Sequence, residues 1–393
     1  MTDTYTPSAL QAEKWSAEFF QYGLQNMFFA DFIGDPSPIE DQEGKPSEIE
    51  ISTSRNALIQ VKMDLLGGIG DKVTFPQLAP LALNGRVQLG TDTTAMVLEG
   101  YEEAISAYSW KATLKEWGHS VRDTGALARK QPAFSWDTGM RMALGEWFGT
   151  KLDQATYAAL AGIAFTGDNS KALLAANAPA GTARKLTGGT AAGTFTPRTT
   201  DAGIASGEYL SLEMISYARK SIRTQQPLIR PIRISGQDWY FLFISPTQAY
   251  DLKSDAGASV VHTWGEAMKY AMPRGEKNPL FTKAMGAWDG VLIFEYDGVQ
   301  TRTGDGGSEV LTSVGNTFDT GDNAASGRKI ARGLFCGATA CVHAYGSKPK
   351  FVGKKFDYDR LEGLSVQTLV SVEKPEFNSV DYGVMVLDTA VSS

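Results

Sequence analysis

Residues 135–161 read SWDTGMRMALGEWFGTKLDQATYAALA, and this stretch sets the architecture. Met140, Ala143, Leu144, Trp147, Phe148, Leu152, Ala155 and Ala159 recur at helical spacing, while Arg141, Glu146, Asp153 and Gln154 fall off that stripe. Ser135 is placed to cap the first turn and Gly162 to stop the last. At 1.5 Å per residue such a helix is roughly 40 Å long, enough to act as the backbone of a flat, elongated subunit.

Upstream, the pattern changes to strands. In residues 108–115 (YSWKATLK), Tyr108, Trp110, Ala112 and Leu114 alternate with Ser109, Lys111, Thr113 and Lys115, the mark of a half-buried strand. The phase then shifts to Trp117, His119 and Val121, which predicts a bulge or bend near Gly118. Residues 77–103 have neither period. They are rich in leucine (Leu78, Leu81, Leu83, Leu89, Leu98) and in turn residues (Pro80, Asn84, Gly85, Gly90, Gly100). A strand precedes them, with Val73 and Phe75 on one face, and residues 56–66 before it read as a short helix ending at Gly67-Gly68. Residues 1–55 look like an arm. Trp15 to Phe29 reads as a helical patch carrying Trp15, Phe19, Phe20, Tyr22, Phe28 and Phe29, followed by the break Asp35-Pro36-Ser37-Pro38. So much aromatic surface needs a cover. Two readings stay open: docking on this chain's own core, or on a neighbouring subunit.

Downstream, residues 163–205 are dominated by Ala, Gly and Thr and read as a long loop. A second helix is expected over about 207–223, strands over 228–234 and 239–245, a short helix started by Ser245-Pro246, and another helix over 263–272. Val291 to Tyr296 is a further strand. Residues 297–329 read as an exposed loop, and the small apolar run Leu334 to Tyr345 fits helix or strand equally. Two strands close the chain, one over 365–373 with Val366, Thr368, Val370 and Val372 on one face, the other over 382–387.

Composition narrows the function classes. The 393 residues carry a formal charge of −7, so strong phosphate binding, which depends on Lys and Arg displacing counterions, is not expected. The two cysteines exclude a disulfide scaffold and suit a reducing compartment. The N-terminus lacks the basic and apolar regions of a secretory signal, and no stretch approaches the ~20 apolar residues of a membrane span, so a soluble protein made in the cytoplasm is expected.

Motifs for chemistry are sparse. There is no phosphate-binding Gly-x-x-x-x-Gly-Lys-Ser/Thr loop and no Gly-x-Ser-x-Gly elbow. Gly67-Gly68-Ile69-Gly70 lacks the third glycine of a dinucleotide fingerprint. Only His119, His262 and His343 are available for general base or zinc chemistry. Cys336, Cys341 and His343 match no common zinc spacing and read better as a buried apolar segment. Asp297, Asp305, Asp319 and Asp322 lack calcium-loop spacing, and Glu99, Glu102 and Glu103 read as a solvated loop in preference to an acid/base pair. No catalytic residue, cofactor or metal is expected.

The order of parts, together with local sequence, resembles the HK-ninety-seven fold of tailed-phage major capsid proteins, and within it the podovirus coat-protein family. The segments that carry the resemblance are Gly70–Pro76 (GDKVTFP), Leu98–Ala104 (LEGYEEA), His119–Arg122 (HSVR), Asn278–Thr282 (NPLFT) with Asp289-Gly290-Val291 after it, and Phe377–Val384 (FNSVDYGV). They run in order from about residue 55 to the end. The resemblance implies an α+β fold with an N-terminal arm (1–55) and a peripheral domain (56–205) holding an extended E-loop hairpin (77–109) and the spine helix (135–161). An axial domain (206–346) and return strands to the peripheral domain (347–393) complete it. It implies a shell protein and not an enzyme. Copies would assemble as hexamers and pentamers into an icosahedral head around double-stranded DNA, with a separate scaffolding protein and a portal as partners and the need for a cement protein left open, in the host cytoplasm. E-loop contacts would involve Leu81, Leu83, Arg86, Leu89, Met96, Leu98 and Glu99, and arm contacts Trp15, Phe19 and Phe28. An isolated two-stranded hairpin is marginal in water, so one this rich in leucine must lie on something. The competing readings are an encapsulin-like nanocompartment shell of the same fold, and an enzyme or glycan-binding protein.

Overall fold

The computed structural model describes residues 27–34, 57–63, 70–78, 102–104, 107–125, 136–166, 171–175, 177–179, 184–190, 195–198, 204–205, 207–225, 227–234, 237–254, 284–299, 301–303, 310–312, 329–358 and 360–391. A 3-10 helix, Phe28–Phe32, comes first. The strands of the first half are β1 (Ile59–Lys62), β2 (Lys72–Leu78), β3 (Ala107–Thr113), β4 (Lys115–Arg122), β5 (Ala164–Thr166), β6 (Ala172–Leu174), β7 (Lys185–Thr190) and β8 (Thr196–Arg198). Those of the second half are β9 (Ile232–Ile234), β10 (Gln237–Ile244), β11 (Ala284–Trp288), β12 (Val291–Glu295), β13 (Thr301–Thr303), β14 (Val310–Thr312), β15 (Lys329–Cys336) and β16 (Cys341–Phe356). The last are β17 (Leu361–Glu373), β18 (Glu376–Phe377), β19 (Val380–Asp381) and β20 (Val384–Ala390). The helices are α1 (Trp136–Ala161), α2 (Leu212–Thr224) and α3 (Pro246–Lys253).

Two sheets organise this α+β fold. One has four strands in the order β1-β16-β17-β4, with β1 parallel to β16 and the rest antiparallel. The other has nine strands; its path is β11-β12-β10-β15-β20-β7-β8, with β13 beside β15 and β9 beside β10. The spine helix α1 covers one face of the four-stranded sheet: Leu144, Phe148 and Leu152 share a core with Trp117, Val366 and Val370. Strand alternation then gives the nine-stranded sheet two lipophilic faces. Leu242, Ile244, Val291 and Ile293 pack against Ile215, Ala218 and Ile222 of α2 and Leu252 of α3. Phe241, Phe243, Phe294 and Val386 point the other way, into the core that holds α1 and the arm.

Local sequence explains the helix ends. Gly162 has φ +75° and ends α1 with paired bonds, its own N–H to the Ala159 carbonyl and that of Ile163 to Ala158. A Cβ there would also sit 2.4 Å from the Asn177 carbonyl. Ser211 caps α2 through the Met214 N–H. Ser245 and Gln248 form a reciprocal capping box with Pro246 in the first turn of α3.

Several expectations need correction. Residues 59–62, read as helix, are strand β1: Ile59 and Val61 are buried and alternate with Gln60 and Lys62, a run of four that is too short to outweigh the surrounding helix-like pattern and that pairs with β16. The bend falls at Leu114, between β3 and β4, and not at Gly118, which pairs normally with Gln367. The stretch 163–205 holds four strands. One of them, β7, pairs with β20, and its Gly189 lets β8 come so close that a Cβ would lie 1.9 Å from the Thr196 carbonyl. Residues 297–329 include β13 and β14, of which β14 pairs with β5. The run 334–345 is two strands, joined at Gly337–Ala340, where the chain leaves one sheet and enters the other. Ala143 is exposed and Asp153 buried, the reverse of the helical stripe. Of the tail, β17 lies in the four-stranded sheet while β20 runs through the middle of the nine-stranded one. The helix expected at 263–272 lies outside the described residues.

Candidate subunit-contact surfaces

The hairpin β2–β3 is a two-stranded unit of its own, running in register from Lys72 opposite Thr113 to Leu78 opposite Ala107. Val73 and Ala112 are buried on one face, and the rings of Phe75 and Trp110 meet at 4.9 Å. Its base is tied down. The Leu114 N–H donates to the Asp71 carbonyl at 2.8 Å, and the Thr113 N–H to the Glu373 carboxylate of β17 at 3.4 Å. Burial raises the Glu373 carboxyl above the usual range. The hairpin is therefore rooted at the end that carries Lys72 and Thr113. Glu102 is exposed and Glu103 half-buried. Leu81, Leu83, Arg86, Leu89, Met96, Leu98 and Glu99 lie outside the described residues.

The arm is described from Met27. Phe28, Phe29 and Phe32 enter an aromatic cluster on this chain's own core, with ring centroids 4.6 Å (Phe28–Tyr296), 5.2 Å (Phe29–Phe243) and 5.1 Å (Phe32–Phe294). Asp153 of the spine helix holds the 3-10 turn: its two oxygens accept the Phe28 N–H at 2.6 Å and the Phe29 N–H at 3.1 Å. Burial, with Asp153 second, pushes the Tyr296 phenol well up. Ile33 then forms a parallel bridge with Ile59 at the outer edge of β1. Six residues of arm thus touch the spine helix and both sheets. Trp15 and Phe19 lie outside the described residues.

Asp153→Ala should detach this turn, since the buried Phe29 N–H loses its acceptor at about 1–3 kcal/mol and the part-buried Phe28 N–H loses one as well. The readout is hydrogen exchange of the Phe28 and Phe29 amides, which should accelerate at least tenfold in the variant. Unchanged protection would show that the aromatic packing alone holds the arm.

Cys336, Cys341 and His343 are wholly buried. Burial raises both thiols and lowers the His343 imidazole to about 3, and His343 Nε2 lies 3.0 Å from the Thr156 hydroxyl, so these groups are core components. Among the described residues no cluster of His, Cys, Asp or Glu could hold a metal, and no helix is long and apolar enough to cross a membrane.

Two features escaped the sequence reading. Asp153 sits off the apolar stripe, and only its distant partners give it a role. The other is a cationic segment: residues 343–356 (HAYGSKPKFVGKKF) contain Lys348, Lys350, Lys354 and Lys355 and no acidic residue. That signal was present in the sequence.

The described residues thus form a two-sheet subunit with a spine helix, a rooted hairpin and an arm. The chain is similar in fold to the capsid of Ralstonia phage GP4 (TM-score 0.69, 24% identity, 93% of this chain and 92% of that one) and to that of cyanophage Pam1 (TM-score 0.66, 19% identity, 94% and 93%). The major capsid protein of Pseudomonas phage KPP25 is 25% identical over 307 residues, which is 73% of this chain and 77% of that protein. The sequence matches the phage capsid protein family over residues 3–393, and the chain belongs to that family. It is a structural component of a virion.

Proposed function

We propose that this chain is the major subunit of a phage head, and that its copies pack as hexamers and pentamers into a closed icosahedral shell around double-stranded DNA. The observation that carries the reading is the family match along almost the whole chain, joined to a curated major capsid protein as relative. The role is architectural and not catalytic. Residues 77–109 act as the E-loop, with Leu81, Leu83, Arg86, Leu89, Met96, Leu98 and Glu99 facing a neighbour. The four-stranded sheet with α1 corresponds to the peripheral domain, and the nine-stranded sheet with α2 and α3 to the axial domain. Assembly takes place in the host cytoplasm with a separate scaffolding protein and a portal. The net charge of −7 suits DNA that is enclosed more than gripped. Negative-stain microscopy of the purified protein with its scaffolding partner tests this: shells are expected, and a stable monomer at high concentration would overturn it.

The shell should carry no covalent cross-links between subunits. An isopeptide bond from the loop needs a free amine as nucleophile, and residues 73–110 contain no lysine. Arg86, the one basic residue there, stays protonated. Lys72 and Lys111 sit at the root of the hairpin, opposite Thr113 and Thr74. Both cysteines are free and buried. Boiled, denatured shells should run as a single monomer band; a ladder of multimers would contradict this.

A further inference from the structure

Lys374 and Asp381 sit where the chain crosses from one sheet to the other. Lys374 follows the end of β17 in the four-stranded sheet, and Asp381 closes β19, three residues before β20 enters the nine-stranded one. Both side chains are 1% exposed, and Lys374 Nζ lies 2.9 Å from Asp381 Oδ2. Oδ2 is bonded to Cγ, so the amine nitrogen already stands against a carboxyl carbon. Glu376 is the direct partner of Asp381 in the β18–β19 ladder, which puts the two carboxyl side chains on one face, and the Glu376 charge acts on the Lys374 amine. The surroundings are fixed. Nζ also donates to the Ala178 carbonyl at 3.1 Å, and Glu376 Oε1 accepts from Asn177 Nδ2 at 2.6 Å. Arg184, wholly buried, donates through Nε to the Asp381 backbone carbonyl at 2.7 Å.

Two opposite charges held out of water carry a desolvation cost that their attraction offsets only in part. A neutral amine beside a neutral carboxyl is the other state of the pair. Burial drives Lys374 toward it, lowering the amine against the pull of Asp381. The neutral pair is also the reactive one: a nucleophilic amine faces an acid that can lose its hydroxyl. The fold adds contact geometry and excludes the water that would reverse the step.

We propose that Lys374 and Asp381 join in an isopeptide bond within one subunit. Nζ attacks Cγ, the N–C bond forms, the C–O bond to the carboxyl hydroxyl breaks, and one water leaves. The Glu376 carboxylate takes a proton from Nζ and returns it to the departing hydroxyl, so it ends as it began. The Arg184 guanidinium, close enough for its charge to act on Asp381, stabilises the oxyanion that develops on Cγ. Every atom of product and water comes from the two side chains. The bond ties the end of β17 to the entry of β20 and replaces two buried charges with a neutral amide.

Mass spectrometry of the denatured full chain tests this. Trypsin cuts after Arg360 but not between Lys374 and Pro375, so residues 361–393 leave as one peptide with or without the bond. That peptide should be one water lighter than its composition and should yield no backbone fragments from breaks between Lys374 and Asp381. Protease cleavage after Glu376 should leave the two halves joined. K374R keeps the positive charge but offers no nucleophile, and its peptide should have the full mass. In E376Q the bond should form about tenfold more slowly, or slower still, after a pulse of synthesis. A full-mass peptide from the unmodified chain would overturn the proposal. So would a missing water that persists in K374R, or a fragment gap that lies elsewhere in the peptide. An unchanged rate in E376Q would overturn the role given to Glu376.

Discussion

Replacing residues 79–106 with a short Gly-Ser turn should leave a subunit that folds and cannot form shells. The cut is defined by the hairpin ladder. Leu78 and Ala107 are its last described pair, so a tight turn there keeps every cross-strand bond from Lys72–Thr113 outward. Among the described residues, the two large cores are built from α1, α2, α3, the arm, the two sheets and β5–β6. Stability of the isolated subunit should therefore change by less than about 1 kcal/mol, the range of surface changes away from core features. Assembly is a different matter. The removed stretch contains Leu81, Leu83, Leu89 and Leu98, and a hairpin of that composition gains nothing by standing in water. If each copy contributes one such contact to a neighbour, every contact around every ring disappears together, and the loss multiplies across the shell. Yield should fall below detection by sedimentation, with the variant running as a folded small species of unchanged circular dichroism. Normal shells from the shortened chain would mean that the hairpin is not the contact that closes the capsomer. An unfolded variant would mean that the loop belongs to the subunit's own core.

What the sequence makes legible follows the range of the interactions involved. The spine helix, the alternation of β17 and the capping box at Ser245 depend on neighbours within one or two turns or pairs, and each lies where the pattern predicts. The failures share one cause, which is burial by residues far away in the chain. Strand β1 (IQVK) alternates over only four residues, too short a run to stand out, and its pairing with β16 far along the chain is what makes it a strand. Strand β7 (KLTGGT) looks like loop because glycine has little intrinsic strand preference, and only its seat between β20 and β8 makes it a strand. Asp153 reads as a solvated helix residue until the Phe28 and Phe29 N–H groups arrive from over a hundred residues upstream. The apolar run at 334–345 was ambiguous because it belongs to two sheets: Phe335 pairs with Leu242 and Met385, whereas Val342 pairs with Gln60 and Glu373. Of the contact surfaces, the hairpin's two strands were legible from the alternation of Val73 with Phe75 and of Tyr108 with Trp110 and Ala112. The lysine-rich segment needed the strand register to bring Arg122 and Lys354 to the Phe356 ring.

Arg332→Ala should destabilise the subunit by about 3–5 kcal/mol, the cost of breaking a buried ion pair from one side. Arg332 and Asp388 sit opposite each other on β15 and β20 and form a two-pronged pair, Nε to Oδ1 and Nη2 to Oδ2, both at 2.8 Å. The side chains are 6% and 0% exposed. Removing the arginine leaves a wholly buried carboxylate without its two-pronged partner; Lys185, a further cationic contact at 3.4 Å, is itself partly exposed. The same guanidinium donates through Nη1 to the Ala161 carbonyl at 3.0 Å, one of the carbonyls that the end of α1 leaves without a helical partner. A cation there also complements the helix dipole. The backbone carbonyl of Arg332 accepts from the Tyr157 hydroxyl at 3.1 Å. One residue therefore joins the spine helix to the centre of the nine-stranded sheet. Arg332→Lys keeps the charge but loses the fork, and should recover less than half of the loss. Arg332→Met with Asp388→Leu removes both charges together and should recover most of it, since the desolvation cost of the pair goes with it. Urea unfolding should be done on the loop-shortened subunit, because assembly would stabilise the native state by mass action and mask the difference. A loss under about 1 kcal/mol for Arg332→Ala would show that water reaches Asp388 and that the helix is held to the sheet by apolar packing alone.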